Sequence, residues 1–98
     1  MKVVINANKD YYNELYNIVK RSEEDLRTRI PNLAEISVDI AKITSNIASS
    51  MYGVTTKHAL LDDESQLSIS VKYRTDPTPE QIVKGVTQEL KLIKEKYY

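Results

Sequence analysis

The chain has no cysteine, no tryptophan and no phenylalanine, and it carries one histidine, two glycines and three prolines in 98 residues. Without cysteine there is no disulfide framework, no thiolate nucleophile and no cysteine metal site. One histidine excludes a multi-histidine metal centre within a single chain. Two isolated glycines, Gly53 and Gly85, exclude a glycine-rich phosphate loop. Charge of one sign is also missing, because 14 basic residues balance 14 acidic ones. No overall field therefore marks the chain for nucleic acid or an anionic membrane. No stretch approaches the ~18 consecutive apolar residues that a membrane span needs. The opening apolar run, Val3 to Ile5, is too short for a signal-peptide core. The expectation is a soluble, intracellular protein, with association to a virion not excluded.

What is present is ordinary globular composition, 41% hydrophobic and 29% charged. Such a chain has the apolar content to bury one core, and its length predicts a single domain over 1–98. No repeat or low-complexity tract divides it.

Residues 2–7, rich in Val and Ile, read as a short strand. Asn8 to Asp10 supply candidate helix caps. Beyond them Tyr12, Leu15, Tyr16, Val19, Leu26 and Ile30 recur at mostly helical spacing. The spacing predicts a helix over 9–29, which Pro31 ends by disfavouring helical geometry at Ile30.

Asn32 to Gly53 has two readings. Over a few residues, Ile36-Ser37-Val38-Asp39-Ile40 alternates like a strand. Over the whole window, Leu33, Ile36, Ile40, Ile43, Ile47 and Met51 fall within about a quarter of a helix circumference. Asn32 and Glu35 resemble a capping box, and Gly53 stands where a helix-ending glycine would. The helix over 32–52 accounts for more residues and is taken here, with a strand over 35–43 as the alternative.

Residues 54–74 read as a hairpin turning through Asp62 to Ser65. Leu67, Ile69, Val71 and Tyr73 alternate with polar residues. A regular turn of even length pairs Leu60 with Leu67, His58 with Ile69 and Val54 with Tyr73. Thr78-Pro79-Glu80-Gln81 then combines an N-cap, a first-turn proline and an acid with a capping-box glutamine. Val83, Val86, Leu90, Ile93 and Tyr97 form the helical stripe that follows. Gly85 inside this helix costs about 1 kcal/mol against Ala and suits a close backbone approach. The expected fold is α+β: a small antiparallel sheet, made of the N-terminal strand and the 54–74 hairpin, covered by three helices in the order β-α-α-β-β-α.

Few residues offer chemistry. His58 lies on the apolar side of the hairpin with no nucleophile motif, so a core or sheet-edge hydrogen bond is the expected role. Asp62, Asp63 and Glu64 lack the spacing of a calcium loop and read as a solvated turn. No catalytic, cofactor or metal site is expected. All seven aromatics are tyrosines, which suit half-buried positions and interfaces. The leading expectation is a small non-enzymatic protein-interaction or assembly module, oligomeric or part of a larger complex such as a virion or a macromolecular machine. Its candidate interface is Tyr11, Tyr12, Val86, Leu90, Ile93 and Tyr97. The alternative is a winged-helix-like DNA-binding protein using helix 32–52 and the hairpin, with Lys42, Ser45, Asn46, Ser49, Lys57, Lys72 and Arg74 as nucleic-acid contacts.

Overall fold

A computed structural model describes residues 1–43 and 54–97. The elements run β1 (Lys2–Asn6), α1 (Lys9–Arg29), β2 (Glu35–Lys42), β3 (Val54–Leu60), β4 (Gln66–Tyr73) and α2 (Pro79–Lys96). The four strands form one sheet in the order β1-β2-β4-β3. β1, β2 and β4 are mutually parallel, and only β3 runs against its neighbour. The class is α+β as expected, but the sheet is mixed, and the described residues form two helices instead of three.

The correction falls on residues 35–42, which are strand. β2 has a ladder on each side, pairing Ile36 with Val3 and with Leu67, and Val38 with Ile5 and with Ile69. A two-residue period puts Ile36 and Val38 on the same side, where both are fully buried. The helical reading left Val38 off its stripe and had no place for that burial. Ile36 and Ile40 misled because residues four apart share a face in a strand and in a helix alike. The winged-helix arrangement loses its reading helix with this change. Ile47, Met51 and Gly53 lie outside the described residues.

The other elements follow the local signals. α1 buries Leu15, Val19, Ser22 and Leu26 at 4-3-4 spacing, and Ile30 closes its end ahead of Pro31. α2 starts with a complete capping box: the Gln81 N–H donates to the Thr78 hydroxyl, and the Thr78 N–H donates to the Gln81 side chain. The hairpin register pairs Leu60 with Leu67, His58 with Ile69 and Val54 with Tyr73, as the even turn required. At its tip Glu64 takes a φ of 57°, and the Ser65 N–H donates to Asp63. Those bonds, from the Ser65 hydroxyl and then from its N–H, hold the Asp63 carboxyl below its usual range.

Both helices lie on one face of the sheet. The core joins Ile5, Ile36, Val38, Leu67, Ile69 and Val71 from the strands to Leu15, Val19, Leu26, Ile82, Val86, Leu90 and Ile93 from the helices. The helices also meet each other at their C-terminal ends. There Arg29 donates to the Lys94 carbonyl at 2.7 Å, and Asp25 pairs with both Arg29 and Lys94. Alternate strand residues turn the other way: Val4, Ser37, Asp39, Ala41, Thr55, Lys57, Ala59, Ser68, Ser70 and Lys72 form an opposite face of mostly small or polar side chains. Among the described residues no layer covers it.

The strand assignment sets up a direct comparison. Val38→Glu is expected to cost about 3–5 kcal/mol, because it places a carboxylate in a core with no partner. Ile43→Glu, at a half-buried position past the end of β2, is expected to cost less than about 1 kcal/mol. Thermal melts of the two variants check the order, and the reverse order contradicts a buried β2.

Candidate functional site

The polar residues with most internal structure sit where α2 crosses the edge strand β3. Gly85 makes the crossing close. A Cβ built there stands 3.0 Å from Thr56 Cγ2 and 3.6 Å from Val54 Cγ1, so even a methyl group would force Thr56 to yield. One helical turn on, this approach brings Glu89 over the strand. Glu89 accepts from the Thr56 hydroxyl at 3.1 Å through Oε2, and through Oε1 it takes the hydrogen bond of His58 Nδ1. The His58 and Glu89 side chains are only 10% and 6% exposed. The Tyr97 ring closes the site edge-on to the imidazole, with ring centres 6.0 Å apart. Lys96 lies over the outer side of that ring, 5.4 Å from its centre.

A carboxylate orienting an imidazole resembles part of a hydrolytic apparatus, but its direction argues otherwise. Nδ1 is committed to Glu89, and Nε2 is buried with no hydrogen-bond partner among the described residues. The one hydroxyl in the network, Thr56, already donates to the same carboxylate. No described group of three or more His, Cys, Asp or Glu side chains is arranged to hold a metal. What this geometry does is pair the Thr56 hydroxyl and His58 Nδ1 with one buried carboxylate and fix the position of α2 on β3.

The candidate interface residues have divided fates. Val86, Leu90 and Ile93 are buried in the core of the single chain, so the stripe that suggested an interface is consumed by the chain's own sheet. Tyr11 is half-buried against the core, and Tyr97 is half-buried beside His58. Tyr12 alone is exposed, and it stacks on Tyr16 with centres 6.3 Å apart.

Of the candidate nucleic-acid contacts, Lys57 and Lys72 stand on the uncovered sheet face, on neighbouring strands. With Thr55, Ser70 and Ile43 they line one shallow depression. Lys42 ends β2 at 4.0 Å from Asp76, and Arg74 is half-buried just past β4. Lys42, Lys72 and Arg74 thus lie near the end where β2 and β4 finish, Lys57 sits mid-way along β3, and the register puts Lys42 on the other face from Lys57 and Lys72. Ser45, Asn46 and Ser49 lie outside the described residues.

Sequence reasoning missed Glu89, whose position on α2 carries no motif. Two signals pointed toward it: a glycine within a helix and a histidine on the apolar side of a hairpin. Neither names the partner, since 31 residues separate His58 from Glu89.

The buried pair makes a testable cycle. Glu89→Leu removes the acceptor of two buried donors, which is expected to cost about 1–3 kcal/mol. His58→Leu leaves the carboxylate short of a partner and is expected to cost about 3 kcal/mol or more. The double variant His58→Leu/Glu89→Leu leaves only the Thr56 hydroxyl without its acceptor and is expected to cost less than the two single losses added together. Urea unfolding of all four proteins measures the coupling, and additive losses would show that the two side chains do not act as a pair.

Compared with protein-family models, curated proteins and solved structures, the chain gives no match.

Proposed function

We propose that this protein is a non-enzymatic binding or assembly module that works through the uncovered face of its sheet and the margins of that face. The observation that carries the reading is the one-sided layering. A sheet built on three parallel strands is usually covered on both faces, whereas here both helices pack on the same one. The other face, centred on Ser37, Ser68 and Ser70, carries no large side chain on its two central strands between Glu35 and Ile40 or between Leu67 and Val71, so a second surface can approach it closely. The inward orientation of the His58–Glu89 pair, and the engagement of the Thr56 hydroxyl by the same carboxylate, support a binding role over catalysis.

Geometry also sets the strength. With strands ~4.8 Å apart and ~3.3 Å per residue, the face offers roughly 400 Å². That is about half of what one partner contributes to a standard interface. Self-association through this face alone is therefore expected to be weak, and a stable complex draws in an edge of the sheet as well. No described helix is long and apolar enough to cross a membrane.

Nucleic acid is a second reading, favoured by Lys57 and Lys72 standing on neighbouring strands of the uncovered face. It no longer involves a reading helix. Phosphate contacts through the sheet face would be independent of base sequence and steeply salt-dependent.

Two measurements test these readings. Sedimentation equilibrium is expected to show mass rising with concentration, and Ser37→Arg, at the middle of the face, to suppress that rise while shifting the melting temperature by only a few degrees. A strictly monomeric parent would remove self-association. Lys57→Gln/Lys72→Gln is expected to lower any retention on duplex DNA at least tenfold at low salt and to flatten the logarithmic salt slope by about two. No retention of the parent at low salt would remove the second reading.

A further inference from the structure

The margin of the sheet formed by β3 combines three features. First, β3 is an edge strand. The Leu61 N–H donates to the Gln66 carbonyl, closing the hairpin. The alternation of an antiparallel ladder then turns the N–H and C=O groups of Val54, Thr56, His58 and Leu60 outward, away from β4. The strand contains no proline and is rich in β-branched residues, which suits pairing with an additional strand.

Second, this edge is flanked by a depression on each side of the sheet. On the helix side, Val54 and Thr56 face Gln81, Lys84, Gly85 and Gln88 across a groove. Gly85 packs directly on Thr56 at the base of this groove, and Gln81, Lys84 and Gln88 form its helix wall. On the uncovered side lies the depression holding Lys57, Lys72, Thr55 and Ser70. Alternate side chains of an added strand point to opposite faces of the sheet, so they would enter these two depressions in turn.

Third, the middle of the edge is flanked by lysines, while the acids Asp62, Asp63 and Glu64 stand beyond its hairpin end. Lys57, Lys72 and Lys84 have no ion-pair partner among the described residues. The nearby acids are directed elsewhere: Glu89 faces inward to His58 and Thr56, and Asp39 accepts a hydrogen bond from Asn6 across the sheet. Glu80 lies a turn before Lys84 and forms no salt bridge with it. Lysine on an edge strand ordinarily repels strand addition by desolvation and like charge. An incoming strand with carboxylates at the matching positions converts that repulsion into recognition.

We propose that the β3 edge is the docking site for an extended, acidic segment of a partner polypeptide. The segment adds to the sheet beside β3, one carboxylate meeting Lys57 and Lys72 on the uncovered face and the adjacent residue's carboxylate meeting Lys84 in the groove. Gln81 and Gln88 supply amide hydrogen bonds along the groove, and outward backbone groups of β3 supply the ladder. The inference rests on the binding-module reading and gives that module a partner chemistry.

The probe is a blocked, fluorescently labelled peptide of about eight residues, with Thr and Val flanking a central Glu-Asp pair. Two control peptides accompany it: one with Lys-Lys at the centre, and one that keeps Glu-Asp but is N-methylated at alternate backbone amides. Anisotropy at low salt is expected to show binding of the acidic peptide, at least tenfold weaker binding of the lysine peptide, and a comparable loss on N-methylation. Lys57→Glu/Lys84→Glu, at exposed positions, is expected to reverse the preference so that the lysine peptide binds better. Binding insensitive to N-methylation reduces the effect to surface charge and overturns the proposal, as does equal binding of the two charge types or none at all. Dimerisation of the chain through β3 that excludes the peptide, or single-stranded DNA displacing it at lower concentration, assigns the edge to another occupant and also overturns it. Ser37→Arg is expected to leave peptide binding unchanged, so failure of self-association through the sheet face and failure of the edge proposal are read separately.

Discussion

Strand β2 has a neighbour on each side, and the positions of the other elements follow from the ladders it makes. Its parallel pairing with β1 requires a crossover, which α1 provides, and its parallel pairing with β4 forces the chain to leave the sheet's centre and return by way of β3. The burial of Ile36 and Val38 fixes which face of the sheet the helices cover, because a register slip of one residue would expose both and bury Ser37 and Asp39 instead. The core therefore rests on a strand of eight residues whose apolar members alternate with small polar ones.

The contact of α2 with β3 depends on a different kind of interaction. Apolar burial holds α2 over β4 and against α1, but over β3 the helix meets Thr56 and His58, whose polar atoms would be costly to bury alone. Glu89 answers both at once, and Gly85 lets the helix come near enough for it to do so. The result is an edge strand fixed from the helix side and open laterally. Among the described residues the edge of β3, the groove beside α2 and three lysines without a salt bridge converge there, drawn from β3, β4 and α2.

The hairpin pairs, the boundaries of α1 and the capped start of α2 were legible because each depends on residues within a turn or a ladder of one another. The strand at 35–42 was not, since Ile36 and Ile40 satisfy both periods and the deciding evidence at Val38 comes from partners on β1 and β4. The stripe Val86, Leu90 and Ile93 was correctly seen as buried, yet sequence alone does not say whether a stripe faces its own sheet or another chain. The uncovered face was similarly hidden, because alternation of Ser with Ile shows that a strand has two faces and not what lies on either.

By itself the sequence determined the helices at both ends, the hairpin register, and the lack of cysteine or multi-histidine chemistry, because caps, periodicity and composition are properties of neighbouring residues or of the chain as a whole. Only the tertiary structure decided that the sheet is mixed, that His58 meets Glu89, and that Lys57, Lys72 and Lys84 surround one open edge. Those facts depend on strand order and on how closely one helix approaches one strand. Both are set by the packing of residues distant in sequence, and no local pattern encodes them.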